Sequence, residues 1–224
     1  MEDEITIKSR TSYSLIHIKS SCFFANQAFK LESRNKTEKS SFQYQAFCTN
    51  SILSTVAFLE ANINEFYCDI NDGLITTKNE KLSAKIKKMW ELNIPRTASF
   101  TIFQKYEIAL ALCEKAGMEK GNLLSANIIS LIKIRNSLIH FEPEWNDISS
   151  EEAISNDKLF KQLKNKFPLN PFTGSGNAFF PERCIGHGCA EWAIKNALDY
   201  VDKFYENIGI ETAYHYQRNE LKTR

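Results

Sequence analysis

Three side chains within six residues can together handle a phosphate: Arg135, Asn136 and His140. A guanidinium keeps its charge and presents a planar fork of donors that matches a phosphate. An imidazole gives or takes a proton near neutral pH. They stand in the stretch SANIISLIKIRNSLIH, residues 125–140, whose pattern predicts a helix. On a wheel of about 100° per residue with Arg135 at zero, Ile128, Leu131, Ile132, Leu138 and Ile139 all fall within roughly 60°. That spacing predicts that Arg135 projects from the middle of the apolar face, with Ser130, Lys133 and Ser137 opposite. Asn136 and His140 are four apart and share one edge of the stripe. Pro143 disfavours helical geometry at Glu142, which puts His140 at the helix end, where the terminal carbonyls favour a protonated imidazole.

A guanidinium on an apolar face needs a partner, because burying an unpaired charge costs several kcal/mol or more. The partner is a carboxylate, a ligand or a second copy of the same surface. The other elements suggest where a carboxylate could come from. Ile52, Val56, Leu59, Ile63, Phe66 and Ile70 recur at three and four, predicting a long helix over 42–70 that stops at Asn71-Asp72-Gly73. Glu60 lies at the edge of that stripe and is the candidate supporting residue for Arg135, whereas Glu65 points away from it. Shorter helices are predicted over 82–92, ending before Pro95, and over 101–116, ending at Gly117. A last helix is predicted over 189–207, burying Trp192, Ala193, Asn196, Ala197, Tyr200, Val201 and Phe204. Residues 5–31 read as a short extended piece and then a first helix, and 34–41 as a turn.

The segment 142–188 differs in character. It holds four of the five prolines and a Gly-Ser-Gly turn, with a brief helical signal near 151–164. It reads as an inserted loop region before the last helix. The tail after residue 207 is polar and is expected to fray. The expected fold is therefore all-α: one domain over 1–224, an antiparallel helical bundle with its core at about 42–141 and 189–207.

Lys+Arg number 28 and Asp+Glu 27, a net charge of +1. This excludes a strongly basic nucleic-acid coat, so any such contact comes from a local patch or an assembled cleft. No stretch approaches the roughly 18 apolar residues of a membrane span. The start MEDEITIKSR has no apolar signal core. With six cysteines expected as thiols, the expectation is a cytoplasmic protein with no membrane contact.

Arg135 and His140 with four residues between them, in a late helix of an all-helical chain, resemble the HEPN family of small helical domains. Its signature is an arginine, four to six residues and a histidine, often with a polar residue directly after the arginine, as Asn136 is here. The resemblance covers about 42–207. It implies a metal-independent endoribonuclease whose cleft forms at a homodimer interface and which needs no cofactor. The RNA 2′-hydroxyl would be the nucleophile, His140 would transfer a proton, Arg135 would hold the scissile phosphate, and Asn136 would orient either. It also implies a toxin–antitoxin or phage-defence setting, with an antitoxin or regulatory protein as a further partner. Some members carry a tyrosine two residues after the histidine that a nucleotidyltransferase modifies. Glu142 stands there, which points away from that version.

Other motifs compete. Arg10 and His17 also fit the spacing, but in a segment of mixed pattern. Cys184, His187 and Cys189 offer at most three metal ligands, and a glycine-rich turn into the last helix explains them without a metal. The lysines of 81–88 suit a solvated helix face. The competing function is a non-catalytic helical module that dimerises or binds RNA or protein, in which Arg135 pairs with Glu60 and His140 is incidental.

Overall fold

Small residues bring the first two helices together. In α1 (Ser14–Glu32) the buried positions are Ser14, Ile18, Ser21, Cys22, Ala25 and Ala28, a helical stripe with little bulk. It lies antiparallel along α2 (Glu38–Asn71), so that Ser14 meets Glu65, Ser21 meets Ser51 and Thr55, and Glu32 meets Tyr44. The buried hydroxyls satisfy one another. Ser21 donates to the Ser51 carbonyl (2.9 Å), Ser51 donates to the Ser21 carbonyl (3.0 Å), and Thr55 donates to the Ser51 carbonyl (2.8 Å).

The computed structural model describes residues 10–33, 38–75, 80–91, 93, 100–118, 121–143, 145 and 158–224. Among these, all regular structure is helical. After α1 and α2 come α3 (Glu80–Glu91), α4 (Ile102–Leu112), α5 (Leu123–Ile139), α6 (Lys158–Leu163) and α7 (His187–Ile208), with a π turn at Phe179–Arg183 and a 3-10 turn at His215–Glu220. The α7 helix packs against α1, α2, α4 and α5, and α3 packs against α2 and α4. Every residue named in the predicted stripes of α2 and α7 is buried. Aromatic rings join the layers. Phe204 of α7 meets Phe66 of α2 at 5.1 Å and Tyr106 of α4 at 4.9 Å, both edge to face. No helix among the described residues is long and apolar enough to cross a membrane.

Several boundaries differ from the sequence reading. Leu15, Ile16, His17 and Ile18 are helical, and α2 begins at Glu38 within the stretch read as a turn. Ile5-Thr6-Ile7 and Pro95 lie outside the described residues. The α4 helix ends at Leu112, not Ala116. The stop is Glu114, in the left-handed region at φ 54°, with Glu114 N–H bonded to the Ala111 carbonyl and Lys115 N–H to the Leu110 carbonyl. This is the double hydrogen bond of a Schellman ending, formed here around a glutamate rather than a glycine.

The tail does not fray. Tyr214 is buried, stacks edgewise on Phe58 and donates to Asp202 (2.6 Å). Leu221 is buried, and the Arg224 guanidinium grips both carboxylate oxygens of Glu191. A polar segment stays ordered because Tyr214, Arg218 and Arg224 find partners on α2 or α7 and Glu220 pairs with Lys19 of α1.

The 164–188 segment is also packed. Asn170 ties it together, accepting from Phe172 N–H and donating to the Glu182 carbonyl. At Gly188 a Cβ would come within 2.5 Å of the Pro168 carbonyl oxygen, so the loop can reach α7 only over a glycine.

The start of α1 has no capping side chain of its own. Glu65 of α2 replaces it, accepting from Tyr13 N–H (2.7 Å), Ser14 N–H (2.9 Å) and the hydroxyls of Ser12 and Ser14. A carboxylate there satisfies free amides and complements the helix dipole. Glu65→Ala is expected to lower stability by about 1–2 kcal/mol. Urea unfolding would read this, with faster hydrogen exchange at the Tyr13 and Ser14 amides; an unchanged midpoint would contradict it.

Candidate functional site

The α5 helix starts at the Asn122 cap, whose side-chain oxygen accepts from Ser125 N–H (2.8 Å). It ends at His140, which has left helical geometry and whose N–H still bonds to the Asn136 carbonyl (2.8 Å). The buried face of α5 carries Asn127, Ile128, Ser130, Leu131 and Ile134. Arg135 lies about 60° from the middle of that face, on its flank, and is half-buried. This corrects the expectation that Arg135 occupies the centre with Ser130 opposite. A wheel that counts only large apolar residues gives no weight to buried polar ones. Ser130 can be buried because its hydroxyl donates to the Ala126 carbonyl (2.8 Å), and Asn127 because it donates to Asn196 on α7 (2.7 Å).

The Arg135 guanidinium donates to the Asn136 side-chain oxygen (3.0 Å), and among the described residues no carboxylate is paired with it. Asn136 and His140 are both exposed. These three predicted residues are therefore brought together at one helix end: Arg135 is tied to Asn136 by its side chain, and His140 to Asn136 by its backbone. Beside them in the chain Ile139 and Phe141 are exposed apolar side chains and Glu142 is an exposed acid, and Trp145, further on, is fully exposed. Glu144 lies outside the described residues.

Glu60 is not brought to this group. Its carboxylate accepts from Lys105 Nζ at 3.1 Å, and Lys105 also donates to Asn64 (3.2 Å). The Lys105 side chain is 4% exposed and that of Glu60 42%. Among the described residues Lys105 is the buried lysine, and the sequence reading did not single it out. Its position carried a signal: it stands three after Ile102 and four before Ala109, on the flank of a stripe that is otherwise apolar. Its backbone carbonyl also accepts from the buried Tyr67 hydroxyl (3.0 Å).

The competing motifs are occupied elsewhere. Arg10 pairs with Asp69 (2.7 Å) and Asp72 (3.1 Å) at the end of α2, while His17 lies beside Tyr13 on α1. His187 is buried, with its ring against Phe29 and its Nε2 at 3.1 Å from the Thr223 carbonyl oxygen. Cys184 and Cys189 are buried thiols in contact with each other, and burial pushes the Cys189 thiol well up. Cys48 is pushed up to about 12 by the same cause. Such thiols are poor nucleophiles and poor ligands. All six cysteines are free, and among the described residues no three His, Cys, Asp or Glu side chains come together as a metal site. Lys85, Lys87 and Lys88 are exposed on α3.

Comparison of the chain with protein-family models, with curated proteins and with solved structures gives no match in any of the three.

The two cations separate cleanly in a stability measurement. Lys105→Ala is expected to lower stability by about 2 kcal/mol, less than a fully buried pair because Glu60 reaches water. Arg135→Ala is expected to change it by under about 0.5 kcal/mol. A larger loss for Arg135→Ala than for Lys105→Ala in denaturant unfolding would reverse the assignment.

Proposed function

We propose that this chain is a metal-independent endoribonuclease of the HEPN type, acting on RNA as a homodimer. The observation that carries the reading is the state of Arg135. It is aimed by Asn136, unpaired with any carboxylate among the described residues, and shares an exposed helix end with His140. An arginine free of an acid keeps its donors available to an outside phosphate. Glu60, the acid expected to pair with Arg135, is taken by Lys105.

On this reading the arginine binds the scissile phosphate and stabilises the charge that builds on its oxygens. The 2′-hydroxyl attacks the neighbouring phosphorus, a 2′,3′-cyclic phosphate forms, and the 5′-oxygen leaves and takes up a proton. His140 serves one of the two proton transfers. Asn136 is a positioning residue, holding the guanidinium by its side chain. A second copy doubles the local positive charge, which suits a chain with a net charge of +1, and offers cover for Ile139 and Phe141. A toxin–antitoxin or phage-defence role, with an antitoxin or regulatory protein as partner, belongs to the same reading.

One observation favours a second reading, a non-catalytic interaction module. Ile139 and Phe141 are exposed apolar side chains at the end of α5, with the exposed acid Glu142 directly after them. Such a rim suits a protein partner as well as a dimer.

The test is cleavage of RNA by purified protein in EDTA. Wild type is expected to leave 2′,3′-cyclic phosphate ends, and His140→Ala and Arg135→Ala are each expected to lose at least about a hundredfold in rate. Cleavage retained by His140→Ala removes the proposal. A folded, inert wild type moves the weight to the interaction module.

A further inference from the structure

A cleft of about 1030 Å³ opens between the start of α5, the loop 165–168, the first half of α7 and the tail. It lies at the opposite end of α5 from the candidate site. Asn127 in the cleft and Arg135 are eight residues apart, about 12 Å along the helix. The two features are separate, and nothing at His140 accounts for the cleft.

A chain of amides runs into its wall. Lys166 Nζ donates to Asn127 Oδ1, Asn127 Nδ2 donates to Asn196 Oδ1 (2.7 Å), and Asn196 Nδ2 donates to the Trp192 carbonyl (2.7 Å). Asn127 and Asn196 are only 7% and 8% exposed. The Lys166 ammonium also lies over the Trp192 ring, 5.8 Å from its centre. These contacts fix the direction of the lysine without neutralising it.

The other charged side chains of the cleft are paired, in part with residues just outside it. Arg218 faces Asp199 and Asp202, and Glu191 is held by Arg224 and Thr223. Lys166 and Lys195 are the exceptions: among the described residues neither is paired with a carboxylate. Burial alone pulls the Lys166 pKa down, as expected of an ammonium that has lost water and gained no counter-charge. Leu123, Leu124 and Leu198 give the same cleft an apolar wall, and Leu123 is exposed there. A positioned cation without a counter-ion, beside uncovered leucine, is arranged for a ligand that brings both a negative charge and an apolar body.

We propose that this cleft binds an amphiphilic anion, with a carboxylate or phosphate head on Lys166 and Lys195 and an apolar body along Leu123, Leu124 and Leu198. The site stands independently of the ribonuclease reading.

The experiment is a fluorescence titration of the full chain with anilinonaphthalene sulfonate, followed by competition with dodecanoate, dodecyl phosphate and dodecanol. One saturable site is expected. The two anions are expected to displace the probe, the more effective of them identifying the head group, and the neutral alcohol is not. Lys166→Met and Lys195→Met are each expected to weaken probe binding about tenfold, as loss of a charge-assisted contact implies. Arg135→Ala is expected to leave it unchanged. Lys195 is exposed, so its substitution tests the site without threatening the fold. Unsaturable binding, displacement by dodecanol as strong as by dodecanoate, or full affinity in Lys195→Met would overturn the proposal.

Discussion

The edge-to-face packing of Phe204 on Phe66 and Tyr106 is the contact on which the rest of the structure depends. It fastens α7 to α2 and α4 at once, and Tyr200 and Tyr205 extend the cluster on either side. Each such ring pair adds about 0.5–1.5 kcal/mol beyond the area it buries. The Tyr106 hydroxyl is satisfied inside the cluster by the Leu59 carbonyl (2.9 Å) and Asn62 (3.2 Å), so that ring is buried with its polar end paired. With α7 fixed, α5 has one available seat, against α7 and α2, and its C-terminal end is left outside the core. The position of Arg135, Asn136 and His140 follows from that seat.

The same constraint explains what the sequence could and could not reveal. The α2 and α7 helices bury large apolar residues at three-and-four spacing, so their patterns are unambiguous in the chain alone. The α1 helix buries Ser21, Ala25 and Ala28 and exposes Ile16 and Phe23. Its hydrophobic pattern misleads because close approach to α2 requires small residues, not large ones. The α5 wheel misleads for a related reason. Asn127 and Ser130 belong to the buried face, and only a partner on another helix or an intrahelical hydrogen bond makes that affordable. The cap supplied by Glu65 and the pair formed by Lys105 and Glu60 join residues about fifty and forty-five positions apart. No local spacing announces them. Polarity alone predicts a frayed tail, whereas Tyr214, Leu221 and Arg224 each have a specific place.

The candidate site was legible in residue type and partly in position. Its three members share a helix end as expected from their spacing. What changed is the electrostatic setting. The arginine is half-buried on a flank and not central, and the acid expected opposite it serves Lys105. A cation at the surface, directed by a neutral amide, keeps its capacity to bind an outside phosphate, which a cation locked in an internal pair does not.

Under the proposed function, Arg135 is held ready for the RNA backbone. Fluorescence anisotropy of a labelled RNA with the His140→Ala protein measures binding without turnover. Adding Arg135→Ala is expected to weaken that binding by about tenfold or more and to flatten its salt dependence, at an unchanged melting temperature. Equal RNA affinity with and without Arg135 would contradict it.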